Sequence, residues 1–155
     1  PYTSDMLKQW PIERFIELAQ RLARELGLKV VVVGLVHAGV DAHKGRTTGM
    51  ENFESPGENI INMVNKTSLV GLAALLKRCR LLISGDSGPV HLAAAVGTPV
   101  MALFRNDLPG KTAKRWGPWG EGHIVIEKPD LHDISVDEVL DELSLTKCRI
   151  SGIVN

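Results

Sequence analysis

The fold is decided by the stretch Ile83-Ser84-Gly85-Asp86-Ser87-Gly88-Pro89-Val90-His91-Leu92-Ala93-Ala94-Ala95-Val96-Gly97-Thr98-Pro99. Its apolar start, glycine-containing turn and alanine-rich continuation predict a strand, a sharp turn and then a helix. The first peptide N–H groups of such a helix lack partners within the helix, and the helix dipole adds positive charge at the same end. The stretch therefore predicts a site for an anion such as a phosphate group.

Outward from this stretch, helical and strand patterns alternate along the chain. Helical spacing of apolar residues covers 12–26, 69–79 and 89–96, and a last amphipathic helix is expected from Ser135 or Asp137. Short apolar runs predict strands at 29–33, 58–64, 81–84, 99–104 and 123–126. The polar segment 34–56 is predicted to be a loop with a short helix, and 105–122 a long loop. The pattern is typical of a Rossmann-like, doubly wound parallel sheet with helices on both faces, and it predicts an α/β fold.

The first predicted helix has no strand before it, because Pro1 to Gln9 is polar. In a doubly wound fold that strand lies at the centre of the sheet. We therefore expect the complete protein to contain a preceding strand and a preceding domain, and a sheet centre filled by residues 1–9 would contradict this. Residues 1–145 are expected to form one domain, with residues 146–155 as a carboxyl-terminal tail.

Composition restricts the class of protein. The 155 residues include 18 basic and 18 acidic side chains, and no basic stripe with interleaved aromatic residues argues for a nucleic-acid partner. Cys79 and Cys148 have neither disulfide-framework nor zinc spacing. No apolar run approaches the roughly 20 residues of a membrane span, and no metal-ligand cluster is evident.

The tetrapeptide Gly85-Asp86-Ser87-Gly88 resembles the nucleophile segment of chymotrypsin-like serine proteases. That fold is all-β, whereas a predicted helix follows here, and Pro89 stands where those enzymes have a second glycine. A structural explanation stays open: Asp86 or Ser87 would cap the helix, and Pro89 would occupy its first turn. This explanation does not account for His91, which is predicted to lie in the first turn of the same helix.

A longer pattern, Asp86-Ser87-Gly88-Pro89-x-His91-Leu92-Ala93-Ala94-Ala95-x-Gly97-x-Pro99 followed by Ala102-Leu103-Phe104, resembles the signature of glycosyltransferase family 9, the lipopolysaccharide heptosyltransferases and their relatives. Weaker landmarks follow in the family's order: Lys8-Gln9-Trp10-Pro11, Val30 to Gly34, Lys66-Thr67-Ser68-Leu69 and Trp116-Gly117-Pro118-Trp119-Gly120. The resemblance covers Lys8 to Leu143. It implies a GT-B architecture of two Rossmann-like domains, of which this chain looks like the carboxyl-terminal, donor-binding half without its first strand.

The resemblance also implies which residues contact the donor. The N–H groups of Ser87 and Gly88, with the Ser87 hydroxyl, would hold a diphosphate. Lys8 would offset the charge on the leaving diphosphate, with a solvated lysine beside a helix as the alternative. Asp86 would accept hydrogen bonds from the donor sugar, with a buried cap as the alternative, and His91 would complete the sugar or phosphate contacts.

Thr67 and Ser68 would lie near the base and ribose, with a plain helix cap as the open alternative. The resemblance implies no metal and no cofactor. The family's catalytic base belongs to its amino-terminal domain, so we expect this chain alone to bind donor without transferring the sugar. Transfer by the isolated 155 residues would contradict that expectation.

Several positions depart from the family pattern. Gly34 is followed by Leu35-Val36-His37-Ala38 instead of an acidic residue suited to the ribose hydroxyls, so the base is not assigned. Asn65 stands where a glycine commonly precedes the Lys-Thr-Ser segment. Arg105 stands where a glycine usually follows Leu-Phe, and it would either contact phosphate or be exposed.

The resemblance therefore implies the donor-binding half of a glycosyltransferase of cell-envelope lipopolysaccharide synthesis, with an ADP-heptose-like donor. Its expected partners are the nucleotide-sugar donor, an amino-terminal acceptor-binding domain and a lipid-linked saccharide acceptor. The implied location is cytoplasmic, either free or peripheral at the inner membrane face. The alternatives are a non-catalytic nucleotide or nucleotide-sugar binding module on the same fold, and an epimerase of GT-B type.

Overall fold

A computed structural model describes residues 9–34, 59–107 and 112–150, with side chains as far as Leu145. Its elements follow in the order α1 (Ile12–Leu26), β1 (Val30–Val32), β2 (Ile60–Asn62), α2 (Leu69–Leu76), β3 (Leu82–Gly85), α3 (Gly88–Ala95), β4 (Val100–Arg105), α4 (Ala113–Trp116), β5 (Ile124–Lys128), a 3₁₀ turn (Leu131–Asp133) and α5 (Val136–Ile150). The predicted alternation of strands and helices is confirmed.

The strands pair in parallel and form two hydrogen-bonded groups. β1 pairs with β2, β3 with β4 and β4 with β5, so that Ser84 lies opposite Ala102 and Ala102 opposite Val125. Among the described residues, no ladder joins β1 to β3. In a doubly wound sheet, the strand before the first helix lies between these two. The interruption thus falls where the expected extra strand would lie, and residues 1–8 are outside the described ranges.

The core is built around β4, the central strand of its group. Val100 to Leu103 are fully buried and Phe104 is 1% exposed. Met101 and Leu103 pack among residues of α1 and α5, whereas Val100, Ala102 and Phe104 pack against α2 and α3. Cover on both faces explains why the sequence of this strand is continuously apolar instead of alternating.

The amino end of α1 is tied to the segment that precedes α5. Trp10 is 2% exposed, and its indole N–H donates to the Ile134 carbonyl at 2.9 Å. Phe15 meets the Trp10 ring edge-on, with 4.7 Å between centroids. Arg14 donates to the carbonyls of His132 and Ile134. These contacts fix α1 against one face of the β3–β4–β5 sheet.

Element ends differ slightly from the sequence prediction. A proline before a helical pattern suits the first helical position, but Pro11 is the cap residue of α1. Gly27 ends α1 in the left-handed region, as a glycine after a helix favours. Leu69, predicted on the buried face of α2, is 73% exposed because it begins the helix at the surface. Cys79 lies beyond α2, and burial raises the pKa of its thiol.

Other differences concern β1, the long loop and the last helix. Val30–Val32 is half-buried, although a continuous apolar run such as 29–33 is typical of a strand buried on both faces. Part of the predicted loop 105–122 forms α4, whose four residues are too few to show a helical period. Ser135 caps α5 through the Glu138 N–H at 3.1 Å, and α5 continues past Leu145 to Ile150.

Candidate anion-binding site

The turn between β3 and α3 presents its polar groups to solvent. Asp86, Ser87 and Gly88 are all exposed. Ser87 is the cap residue of α3 with extended backbone, φ −153° and ψ 163°, yet its side chain accepts no hydrogen bond from the helix. The Ser87 Oγ instead lies 2.9 Å from the Ser84 Oγ. Ser87 is thus the cap residue by position, as one alternative predicted, but without a side-chain hydrogen bond to the helix, and the interpretation of Asp86 as a buried cap is wrong.

The start of α3 keeps unpaired peptide donors. The Val90 N–H donates to the Ser87 carbonyl at 3.1 Å, and Pro89 has no N–H. Within the described part of the chain, no acceptor takes the N–H of Ser87 or of Gly88. Since α3 adds the positive end of its dipole here, the turn offers both donors and positive potential to an anion.

Gly88 is not a glycine that the protein's own packing requires. A Cβ at this position would meet no atom within 4 Å, and the backbone is outside the left-handed region. Glycine at such a place allows the backbone to be approached closely by a ligand. The absent side chain therefore leaves room beside the free N–H groups.

His91 lies in the first turn of α3, as predicted, and its side chain is exposed. No hydrogen bond of its ring is found among the described residues. The ring thus stands on the same helix turn as the Gly88 N–H, free to contact a molecule bound there. Its role toward the donor stays a prediction.

The turn before α2 also begins a helix with a serine as cap residue, but here the serine side chain does accept a hydrogen bond from the helix. Ser68 is the cap residue of α2, and its Oγ accepts from the Gly71 N–H at 3.1 Å. The helix-cap alternative is thus the observed state of Ser68, while Thr67 beside it is half-buried. Any contact of Thr67 or Ser68 with a nucleotide stays a prediction.

The structure explains why Asn65 can replace a glycine. Its φ is +57°, in the left-handed region that glycine adopts without strain and that asparagine tolerates better than most residues. The Asn65 N–H donates to the Gly34 carbonyl at 2.9 Å and ties this turn to the end of β1. The replacement therefore preserves the backbone conformation.

Arg105 ends β4, at the same edge of the sheet as Ser87. Its guanidinium forms a two-pronged ion pair with Asp107, with Nε 2.9 Å from Oδ1, and this hydrogen bonding lowers the pKa of the Asp107 carboxyl. Only 12% of the Arg105 side chain is exposed, so the interpretation of Arg105 as an exposed residue is wrong.

Sequence reasoning missed Ser84 and Asp107 as neighbours of the predicted residues. The i, i+3 spacing of Ser84 and Ser87 across the turn was an available signal. Nothing in the sequence distinguished Asp107 from other loop acids. Lys8 and the segment 35–38 lie outside the described residues, so the structure places neither.

The side chains described in 9–34, 59–107 and 112–145 include no group of three or more His, Cys, Asp or Glu that could hold a metal ion. In the same ranges, no helix has the length and apolar character to cross a membrane.

Comparisons with known proteins show the family to which the chain belongs. The model of glycosyltransferase family 9 (heptosyltransferase) matches residues 1–140. The chain is 31% identical over 113 residues to a lipopolysaccharide core heptosyltransferase of Haemophilus influenzae, covering 73% of this chain and 31% of that protein.

Solved structures agree with the family match. A family 9 glycosyltransferase from Veillonella parvula superimposes with a TM-score of 0.70 at 27% identity, covering 93% of this chain and 43% of that one. The E. coli ADP-heptose heptosyltransferase II gives 0.69 at 26% identity, over 92% and 43%. The chain thus spans less than half the length of these relatives, which have GT-B folds. From its family signature and its fold, the chain belongs to glycosyltransferase family 9.

Proposed function

We propose that this chain binds the nucleotide-sugar donor of a glycosyltransferase of lipopolysaccharide synthesis. The proposal rests on the start of α3, where the N–H groups of Ser87 and Gly88 have no acceptor among the described residues and a Cβ at Gly88 would meet no atom within 4 Å. A diphosphate suits such a site because its oxygens accept several hydrogen bonds at once. An ADP-heptose-like donor is proposed because the similar E. coli structure is named for ADP-heptose.

The site would act on charge that develops during transfer. Breaking the bond between sugar and diphosphate leaves negative charge on the diphosphate oxygens. Fixed N–H groups and the α3 dipole stabilise that charge more in the transition state than in the bound donor, which lowers the barrier. Lys8 is proposed as an additional cation at this position.

Transfer would also need groups that we do not assign to this chain. No described side chain is placed as a general base for the acceptor hydroxyl. We therefore propose that an amino-terminal acceptor-binding domain supplies the base and binds a lipid-linked saccharide. This chain would contribute the donor side of the active-site cleft.

The Asp86 carboxylate would contact the donor sugar and not the diphosphate. Its exposed carboxylate stands next to the free N–H groups, and a carboxylate that pointed at a diphosphate would repel it. A carboxylate that faces the donor sugar instead accepts hydrogen bonds from its hydroxyl groups. The side chain thus favours a sugar-bearing nucleotide over the bare nucleotide.

Replacing Asp86 by alanine should change these two affinities differently. For the nucleotide-diphosphate sugar that binds, affinity should fall roughly tenfold, because hydrogen bonds to a charged group are lost. For the corresponding nucleoside diphosphate, affinity should be unchanged or higher, because a negative charge is removed. Calorimetric titration with ADP, UDP and GDP and their sugar derivatives measures both.

Asp141→Ala is the matched control, because Asp141 is an exposed aspartate on α5. It should leave both affinities unchanged. Ser87→Ala should weaken both ligands together, since the hydroxyl is proposed to contact the diphosphate that they share. An equal loss of both affinities in Asp86→Ala would contradict the sugar-facing role.

A further inference from the structure

A second surface feature lies outside the residues proposed for the donor site. Trp119 is 91% exposed and Trp116 is 49% exposed, which is unusual for side chains of this size. Lys114 and Arg115 are exposed beside them, and the Arg115 guanidinium lies 5.6 Å from the centroid of the Trp116 ring. We call Lys114, Arg115, Trp116 and Trp119 the tryptophan patch.

The backbone that carries the patch is held firmly. The Gly117 N–H donates to the Ala113 carbonyl at 2.7 Å, and a Cβ at Gly117 would lie 2.4 Å from that oxygen, so only glycine fits. The Val100 N–H donates to His123 Nδ1 at 3.2 Å. Nδ1 must therefore be unprotonated, and Nε2 carries the proton and donates to the Trp119 carbonyl at 3.1 Å. His123 thus links the Trp119 backbone to the first residue of β4.

The patch lies along β5, the outer strand of its sheet. The Ala113 N–H donates to the Glu127 carboxylate near the carboxyl end of β5, while Trp119 contacts His123 just before its amino end. The segment between them is therefore tied to both ends of β5. These two contacts fix the segment, but they do not require Trp119 to be almost fully exposed.

We propose that the tryptophan patch docks the protein on an anionic phospholipid surface. Indole rings favour the headgroup region of a bilayer, where their apolar body and N–H are both accommodated. Lys114 and Arg115 add attraction to anionic lipids, and the segment from Ala113 to Gly120 contains no acidic residue. A bilayer accepts a single protruding indole without a matching pocket, which favours lipid over a protein partner.

Trp119, the most exposed residue of the patch, and the donor site lie at opposite ends of the sheet. Trp119 lies by the amino end of β5, whereas the Ser87 turn follows the carboxyl end of β3 in the same parallel sheet.

The test is co-sedimentation of the full chain with vesicles. We expect binding to vesicles of phosphatidylglycerol and phosphatidylcholine in equal parts, and much weaker binding to phosphatidylcholine alone. Trp119→Ala should weaken binding roughly tenfold, and so should Lys114→Glu combined with Arg115→Glu. Quenching by brominated phosphatidylglycerol should be lost in Trp116→Phe combined with Trp119→Phe, because the remaining Trp10 is buried.

Lys77→Glu combined with Arg78→Glu is the matched control, since these exposed basic residues also adjoin each other and change the net charge equally. It should bind vesicles like the unchanged chain. No binding to the anionic vesicles, or binding that Trp119→Ala leaves intact, would overturn the proposal. Self-association that needs Trp119 and no lipid would overturn it too, because the patch would then serve a second copy of the chain.

Discussion

Replacing Phe104 by alanine is expected to lower the free energy of unfolding by about 3–5 kcal/mol. Phe104 is 1% exposed on β4 and packs in the cluster that contains Leu76 of α2 and Val90 of α3. The truncated side chain would leave a cavity between the sheet and both helices. Both α2 and α3, whose cap residues are Ser68 and Ser87, would thereby lose packing contacts with the sheet.

Urea unfolding followed by circular dichroism measures this change. Val125→Ala is the control, because Val125 lies on the neighbouring strand β5 with 39% exposure and should change stability little. If Phe104→Ala does not fold at all, Phe104→Leu keeps the test open, with an expected loss of about 1 kcal/mol. A Phe104→Ala chain as stable as the control would contradict the described core.

Replacing Gly88 by aspartate is expected to abolish nucleotide binding without unfolding the protein. No atom lies within 4 Å of a Cβ at this position, so the side chain fits without displacing a neighbour. An acidic residue in the first turn also interacts favourably with the dipole of α3. The new carboxylate would nevertheless stand where the diphosphate is proposed to bind, and repulsion should lower affinity by at least about a hundredfold.

Calorimetry and thermal unfolding should be run on the same preparation. Gly88→Ala is the uncharged control, with unchanged or slightly higher stability and a smaller loss of affinity, since a methyl group obstructs but does not repel. An aspartate variant that binds a nucleoside diphosphate as tightly as the original chain would exclude Gly88 from the phosphate site.

Much of the fold follows from local patterns that the sequence displays. The apolar run 100–104 forms a strand covered on both faces. Polar residues do not alternate with its apolar ones, as they would in a strand with one face exposed to water. The turn at Gly85 to Gly88 and the helix after it follow from residue types that stop a strand and start a helix. These features depend on neighbours in the chain, and so they were predicted correctly.

Side-chain pairings were not predicted, whether their partners are near or distant in the chain. Ser87 pairs with Ser84, three residues before it, and does not cap α3 through its side chain, a choice that the residue types alone leave open. Arg105 pairs with Asp107 and is largely buried. The link from His123 to Val100 and Trp119 joins segments that only the sheet brings together.

The most direct test of the proposed phosphate site follows the backbone amides themselves. In ¹⁵N-labelled protein, titration with ADP, UDP or GDP sugars should shift the amide signals of Ser87 and Gly88 most strongly, with those of Asp86 and His91 next. Such a pattern would place the diphosphate at the start of α3. If these signals stay unchanged while a nucleotide sugar is raised to millimolar concentration, or if the largest shifts fall elsewhere, the proposed site is contradicted.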